Sequence, residues 1–314
     1  MTRLRLRDIG GGGLGAAALS LLVLVLVGGP FLRLMAAGLS DGQGASLAPL
    51  AEALADERVL RALRRSLETA LASAVLALGL GTLYALLLGL TNVRFKTAFV
   101  FLILAPMMIP PHVTAIAWIQ SLGPSSVLLR TLGIAPPLGS THPLYSPGGI
   151  VLLLAIQHAP LAMLLVRSGL RALPREALEA ARIAGARPGR LFRRILAPML
   201  APHLAAAFML AFVSGLGNFG IPALLGIPAG YTTLPVLIYE RLSSFGPGVL
   251  GEVAVLSSVM AMVALLAALG QRRLERRARS QTVGPPSRPL AFDLGAGRPL
   301  AEAGLALAVL ATLA

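Results

Sequence analysis

Residues 69–90 read TALASAVLALGLGTLYALLLGL and carry no charged side chain over 22 positions. A helix of this length can cross the hydrocarbon core of a bilayer, which is roughly 30 Å thick and takes about 20 residues. The apolar residues do not alternate with polar ones, so the pattern favours a helix over a strand of a membrane barrel. The stretch therefore predicts a membrane-spanning helix.

Five further stretches are also uncharged and of comparable length. The six predicted spans are Leu14–Phe31, Thr69–Leu90, Thr97–Gln120, Gly148–Val166, Leu204–Leu225 and Val253–Gly270. The composition agrees, because 56% of the 314 residues are hydrophobic and only 13% are charged, against about 25% in soluble domains. The sequence predicts an all-α polytopic membrane protein with six transmembrane helices.

The last part of the chain suggests a longer architecture. Residues 1–270 are expected to form the six-helix domain, and residues 271–298 form a basic linker on the cytoplasmic side. The apolar run that closes the sequence is too short to span a bilayer by itself. We interpret residues 299–314 as the beginning of a seventh helix, and so as the start of a truncated second half.

The basic residues are distributed unevenly along the chain. With the N-terminus on the cytoplasmic side, acidic and basic residues balance in the outer segments, and the formal net charge of +14 lies on the inner side. Short cytoplasmic loops of membrane proteins collect Lys and Arg in this way. The charge thus predicts a multi-pass topology with a cytoplasmic N-terminus, and no nucleic-acid partner. An uncleaved first helix is favoured over a signal peptide because its apolar run is longer than roughly 15 residues.

Several chemistries lack the residues that they need. The single lysine, Lys96, has no glycine-rich context, so the chain has no phosphate-binding P-loop. There is no cysteine, and the four histidines are too scattered to predict a metal site. Ser40 lies in a Gly-x-Ser-x-Gly match, but it follows a predicted membrane helix instead of a strand, which makes an intramembrane hydrolase the less favoured alternative. A secondary carrier is also less favoured, because the spans contain no relay of carboxylates.

The longest predicted inner loop spans residues 167–203, and its central part, residues 173–198, reads LPREALEAARIAGARPGRLFRRILAP. Proline opens each half, Gly185 permits a sharp turn, and Pro198 limits the second piece. Two short helices joined by a turn are predicted. A basic segment resting on anionic lipid, or a helix-turn-helix that reads DNA, are the alternatives from these residues alone.

The spacing within this loop resembles the EAA loop of ABC importer permeases of the binding-protein-dependent type. The matching residues are Glu179, Ala180, Ala181, Gly185, Ile195 and Pro198, while Ala197 departs from the leucine that the family has before the proline. The resemblance implies that the loop docks on a cytoplasmic ABC ATPase dimer, which binds ATP and Mg²⁺, so that this chain holds no cofactor. It further implies a location in a bacterial cytoplasmic (inner) membrane, a periplasmic or extracellular substrate-binding protein, and a second permease half or copy. The chain would then be a transport subunit and no enzyme.

Two predicted spans contain residues that break helices. Pro110 and Pro111 lie within the third span, and glycines and a proline cluster from Gly215 to Pro222 in the fifth. Such breaks free backbone groups, which are tolerated at membrane depth only where they face protein or water. We predict that five residues line or gate a passage, namely Pro111, His112, Asn218, Phe219 and Pro222. The alternative is that they only kink helices for packing.

The same two stretches, residues 106–118 and 219–239, resemble ferric-iron-type permeases, in which two six-helix halves are commonly fused. This resemblance implies ferric iron as the transported solute. Polyamine, thiamine and phosphonate importers share the architecture and are kept as alternatives.

Overall fold

The computed structural model describes residues 9–40, 44, 46–137, 139–173, 183, 194, 196–244, 246, 248–278 and 293–313. The regular elements of these residues are helices, and a π-helical turn, Leu24–Gly28, joins the first two. The helices are α1 (Ile9–Val23), α2 (Gly29–Gly38), α3 (Ala48–Ala55), α4 (Glu57–Leu90), α5 (Lys96–Met108), α6 (Pro111–Leu122), α7 (Val127–Thr131), α8 (Pro147–Arg171), α9 (Ala197–Leu216), α10 (Gly220–Gly226), α11 (Leu234–Leu242), α12 (Val249–Ala278) and α13 (Arg298–Leu313).

The membrane character of the fold is confirmed. Within the described residues, five helical stretches are long and apolar enough to cross a bilayer, and a sixth span results if α5 and α6 are counted as one bent span. The five are Ala18–Gly38, Glu57–Leu90, Pro147–Arg171, Ala197–Leu216 and Val249–Arg273. Each of the six predicted spans therefore has a counterpart in an all-α structure.

The spans differ from their predicted bounds, most simply in α4, which begins at Glu57 and not at Thr69. In two spans, prolines and glycines explain a break. The third span is divided into α5 and α6, which are bent by 102°. The fifth begins at Ala197, because proline is tolerated in the first turn of a helix, and ends at Leu216 before Gly217. The remainder of the predicted span, up to Leu225, belongs to the separate helix α10.

The described chain forms two compact units. The first contains residues 1–60 and 237–262. Here α2 approaches α12 closely at Gly38, where a Cβ atom would lie 2.5 Å from the Ser258 Oγ and 2.6 Å from the Ala254 carbonyl oxygen. Arg241 forms an ion pair with Glu252, with 3.3 Å between Nη1 and Oε2. The glycine thus permits the close packing of this unit.

The second unit, residues 61–236 and 263–314, is built around α8. More than half of the α8 residues are buried, and the helix packs against α5, α9 and α10. At its crossing with α4, a Cβ atom on Gly81 would lie 2.6 Å from the Ala159 carbonyl oxygen and 2.7 Å from the Met163 nitrogen. The absence of a side chain at Gly81 sets the distance between these two helices.

The last helix, α13, is part of the second unit and packs against α5. Its side chains Leu305 and Val309 are buried in the main apolar core. The Glu302 Oε1 accepts hydrogen bonds from the Arg94 backbone N–H at 2.8 Å and from the Arg298 Nε at 2.9 Å. These donors keep the pKa of Glu302 below its usual value. Residues 298–313 are thus helical and docked. Of the predicted linker, residues 271–278 instead continue α12, and residues 279–292 lie outside the described residues.

Candidate functional site

The break between α5 and α6 is the first part of the site. Proline has no backbone N–H, so Pro110 cannot donate the i→i−4 hydrogen bond to the Pro106 carbonyl that a continuous helix would have. The Gln157 side chain, from α8, fills this position: its Nε2 donates to the Pro106 carbonyl at 3.0 Å and to the Ile109 carbonyl at 3.2 Å. The predicted helix break is present, and the carbonyls that it frees are satisfied by protein.

Both polar side chains at the break are buried. Gln157 is 7% exposed and Thr114 is 6% exposed. The Thr114 hydroxyl lies 3.5 Å from both the Gln157 Oε1 and the Pro110 carbonyl oxygen. A buried amide is stable only where its donors and acceptor find partners. Here the Nε2 has two carbonyl acceptors, and the Oε1 faces the Thr114 hydroxyl, whose one proton can go either to it or to the Pro110 carbonyl.

The second part of the site is the break between α9 and α10. Asn218 stabilises the start of α10, because its Oδ1 accepts a hydrogen bond from the Ile221 N–H at 3.2 Å. A Cβ atom on Gly220 would lie 3.0 Å from the His112 nitrogen. The backbones of α10 and α6 are therefore in close contact, and the two broken spans meet at this point.

The five predicted passage residues surround this contact but differ in burial. His112 is exposed, and Phe219 is 39% exposed. Pro111 and Asn218 are half-buried, whereas Pro222 is buried within the unit. The structure thus brings the two predicted stretches together, and the gating role of these residues stays a prediction.

The segment after α10 is fastened to α4. The Arg65 Nη1 donates to the Gly230 carbonyl at 3.0 Å, and the Arg65 guanidinium lies 4.7 Å from the centre of the Tyr231 ring. The buried Ser66 hydroxyl accepts a hydrogen bond from the Leu234 N–H at 2.7 Å. These contacts fix the far end of α10 on a membrane-spanning helix.

The third part of the site is the pair of helices that flank the predicted EAA loop. Glu179, Ala180, Ala181, Gly185 and Ile195 lie outside the described residues, whereas Pro198 lies in the first turn of α9. The preceding helix, α8, and the following helix, α9, pack extensively against each other. Near the loop, a Cβ atom on Gly169 would lie 2.6 Å from the His203 Cγ, so the histidine ring rests directly on the α8 backbone.

Two further observations bear on the chemistry of the site. Among the described residues, no three His, Asp or Glu side chains come together in a group that could hold a metal ion. Gln157 was not predicted from the sequence. A signal for it does exist, because Gln157 and His158 are the two polar side chains of the otherwise apolar residues 148–166, and polar residues inside spans are costly and so mark function or packing.

The fold and the site define a class of protein: an all-α membrane protein in which two broken spans are in contact. The comparison with known families is in agreement. Residues 78–280 match the family described as "Binding-protein-dependent transport system inner membrane component", and the chain belongs to this family. It is therefore the permease subunit of an ABC importer, a transport subunit and not an enzyme.

The names of similar permeases refer to different transported solutes. The molybdenum transport permease ModB of Mycobacterium tuberculosis is 32% identical over 212 residues, which cover 67% of this chain and 77% of ModB. The xylose/arabinose import permease XacH of Haloferax volcanii is 29% identical over 241 residues, 74% of each chain. The putrescine permease PotI of Escherichia coli is 29% identical over 214 residues, 67% of this chain and 70% of PotI.

Solved structures support the fold. A chain of a bacterial alginate ABC transporter, solved in complex with an alginate pentasaccharide-bound periplasmic protein, superposes with a TM-score of 0.68. The match covers 89% of this chain and 100% of that chain at 20% identity, so it supports the fold alone.

Proposed function

We propose that this chain forms, together with a second permease half or copy, the membrane passage of an ATP-driven importer. The observation that carries the proposal is the close contact between Gly220 and His112, which joins two broken spans inside one unit. Broken helices at membrane depth require protein or water around them. The junction of α6 and α10 is therefore the part of the chain best suited to line or gate a passage, with Pro111, Asn218 and Phe219 beside it.

The proposed drive comes from a separate cytoplasmic ATPase dimer that binds ATP and Mg²⁺. In this proposal the ATPase binds residues 173–198. Glu179 provides the anionic contact, and Gly185 permits the sharp turn between the two short helices. The helices on both sides of this segment, α8 and α9, pack against each other, and α8 also contacts α5 and α10. A displacement of the segment can thus reach both broken spans through α8. The N-terminus lies in the cytoplasm in this arrangement.

The proposed cargo is ferric iron, delivered by an extracytoplasmic binding protein. This part rests on the resemblance of residues 106–118 and 219–239 to ferric-iron-type permeases. The names of the similar permeases given above refer instead to molybdenum, xylose/arabinose and putrescine. The side chains at the junction are amide, aromatic and imidazole groups, and no carboxylate cage is present among the described residues. Such a passage would let a small solute through without binding it, so selection would lie in the binding protein. A polyamine is the alternative cargo.

The cargo is tested by uptake into proteoliposomes that contain the complete transporter and its own binding protein. We expect ferric iron to accelerate ATP hydrolysis and to enter the vesicles, with a stimulation of about fivefold or more, typical of coupling between sites. Molybdate, xylose and putrescine serve as matched cargoes under the same conditions. Stimulation by one of these and none by ferric iron would reject iron while leaving the importer assignment intact.

A further inference from the structure

Gln157 connects the middle of α8 to the broken span. Its side chain is 7% exposed, and its amide donates to the carbonyls of Pro106 and Ile109, in the last turn and at the end of α5. We infer that Gln157 is the positioning residue through which α8 holds the α5–α6 break in its bent form. The inference rests on the proposed function, because it assigns this residue a part in the movement of the passage.

The chemistry of the break accounts for a glutamine at this position. The Pro106 carbonyl oxygen also accepts from the Ile109 backbone N–H at 3.3 Å, and the side-chain amide adds one N–H donor to each of the two carbonyl oxygens without a charge. Leucine has a similar size and no donor. A glutamate would place a carboxylate against two carbonyl oxygens, and asparagine is shorter by one methylene group. Glutamine therefore meets the requirement where its close substitutes do not.

The position of Gln157 on α8 makes the bend sensitive to movement of that helix. Towards its N-terminal end, α8 packs Ile150 and Leu153 against α10. Towards its C-terminal end, Gly169 meets His203 of α9 in a contact with no free space, and the proposed ATPase-binding segment follows. A shift of α8 relative to α5 would lengthen or break the two hydrogen bonds of Gln157, so the bend and the segment are linked through this side chain.

The bend can be measured directly because the chain contains no cysteine. Spin labels on cysteines introduced at Phe101 in α5 and Ile116 in α6, which are 70% and 43% exposed, report the distance across the break. The distances are measured on the complete transporter in lipid nanodiscs, with labelled chain diluted by unlabelled chain, and uptake is measured in proteoliposomes. We expect one narrow distance in the unsubstituted chain without ATP. In Gln157→Leu we expect a broad distribution of distances, and uptake per ATP hydrolysed that is lower by roughly tenfold, the scale of an unmade buried hydrogen bond.

Matched variants separate this role from a general loss of structure. Gln120→Leu makes the same change at an exposed glutamine of α6 and should leave the label distance and the uptake per ATP unchanged. A Gln157→Leu transporter with the distance and uptake of the unsubstituted protein would overturn the inference. If Gln157→Leu does not assemble, Gln157→Asn decides the matter: we expect it to broaden the distances, and unchanged distances would overturn the inference equally. Failure of the unsubstituted chain to bind an ATPase would contradict the proposed function. The label distances would still test whether Gln157 holds the bend between α5 and α6.

Discussion

Glu179→Ala and Gly185→Trp are each expected to lower ATP-driven uptake by about 100-fold while the protein still inserts into the membrane. In the proposed ATPase groove Glu179 would provide the anionic contact, so its loss would remove a charge-assisted interaction. A tryptophan at Gly185 places a large side chain where the chain is proposed to turn sharply against its partner. Co-purification of the ATPase subunit and cargo-stimulated hydrolysis measure the effect.

The same loop supplies controls for both changes. Glu176→Ala removes a glutamate that lies outside the EAA spacing, and Gly189→Trp adds the same bulk at a glycine outside it. Both controls should retain ATPase binding and most of the uptake. If Glu179→Ala and Gly185→Trp bind the ATPase and show cargo-stimulated hydrolysis as well as their controls do, the proposed role of the loop is wrong.

Gly81→Leu is expected to prevent the second unit from folding. Any Cβ at this position would lie 2.6 Å from the Ala159 carbonyl oxygen and from the Ala162 Cβ, and rigid backbone cannot move aside as a side chain can. Overpacking that shifts the backbone costs roughly 1–3 kcal/mol and occasionally more. The yield of monodisperse protein and its melting temperature in detergent measure the loss.

Gly79→Leu is the matched control, since it lies two residues away in the same helix. A Cβ atom there meets nothing within 4 Å, and the position is exposed. We expect Gly79→Leu to fold with nearly unchanged yield. Equal yields of the two variants would contradict the close packing of α4 on α8 at Gly81.

The spans and their breaks could be predicted because their causes are local. An uncharged run of Leu, Ala and Val is enough to place a helix in a membrane. The break at Pro110 and Pro111 follows from the missing N–H of proline, whatever surrounds it. The end of α9 near Gly217 follows in the same way from a cluster of helix-breaking residues. These properties belong to each segment by itself.

The partners across the fold could not be predicted, because they depend on residues far apart in the sequence. Gly79 and Gly81 each follow a leucine in the run LGLG, so the sequence does not distinguish them. Only the packing shows that Gly81, and not Gly79, lies against α8. The Gln157 side chain meets carbonyls that lie 48 and 51 positions earlier in the chain. Glu302 accepts a hydrogen bond from a backbone group 208 positions away. Periodicity contains no information about such pairs.

The source of energy tests the account most directly. Vesicles containing this chain with its second half or copy are compared with and without the ATPase subunit, either with ATP or with an imposed proton or sodium gradient. The account predicts that cargo enters when the ATPase, ATP and the binding protein are all present, and that a gradient alone drives none. Uptake driven by an ion gradient in vesicles that lack the ATPase would contradict it.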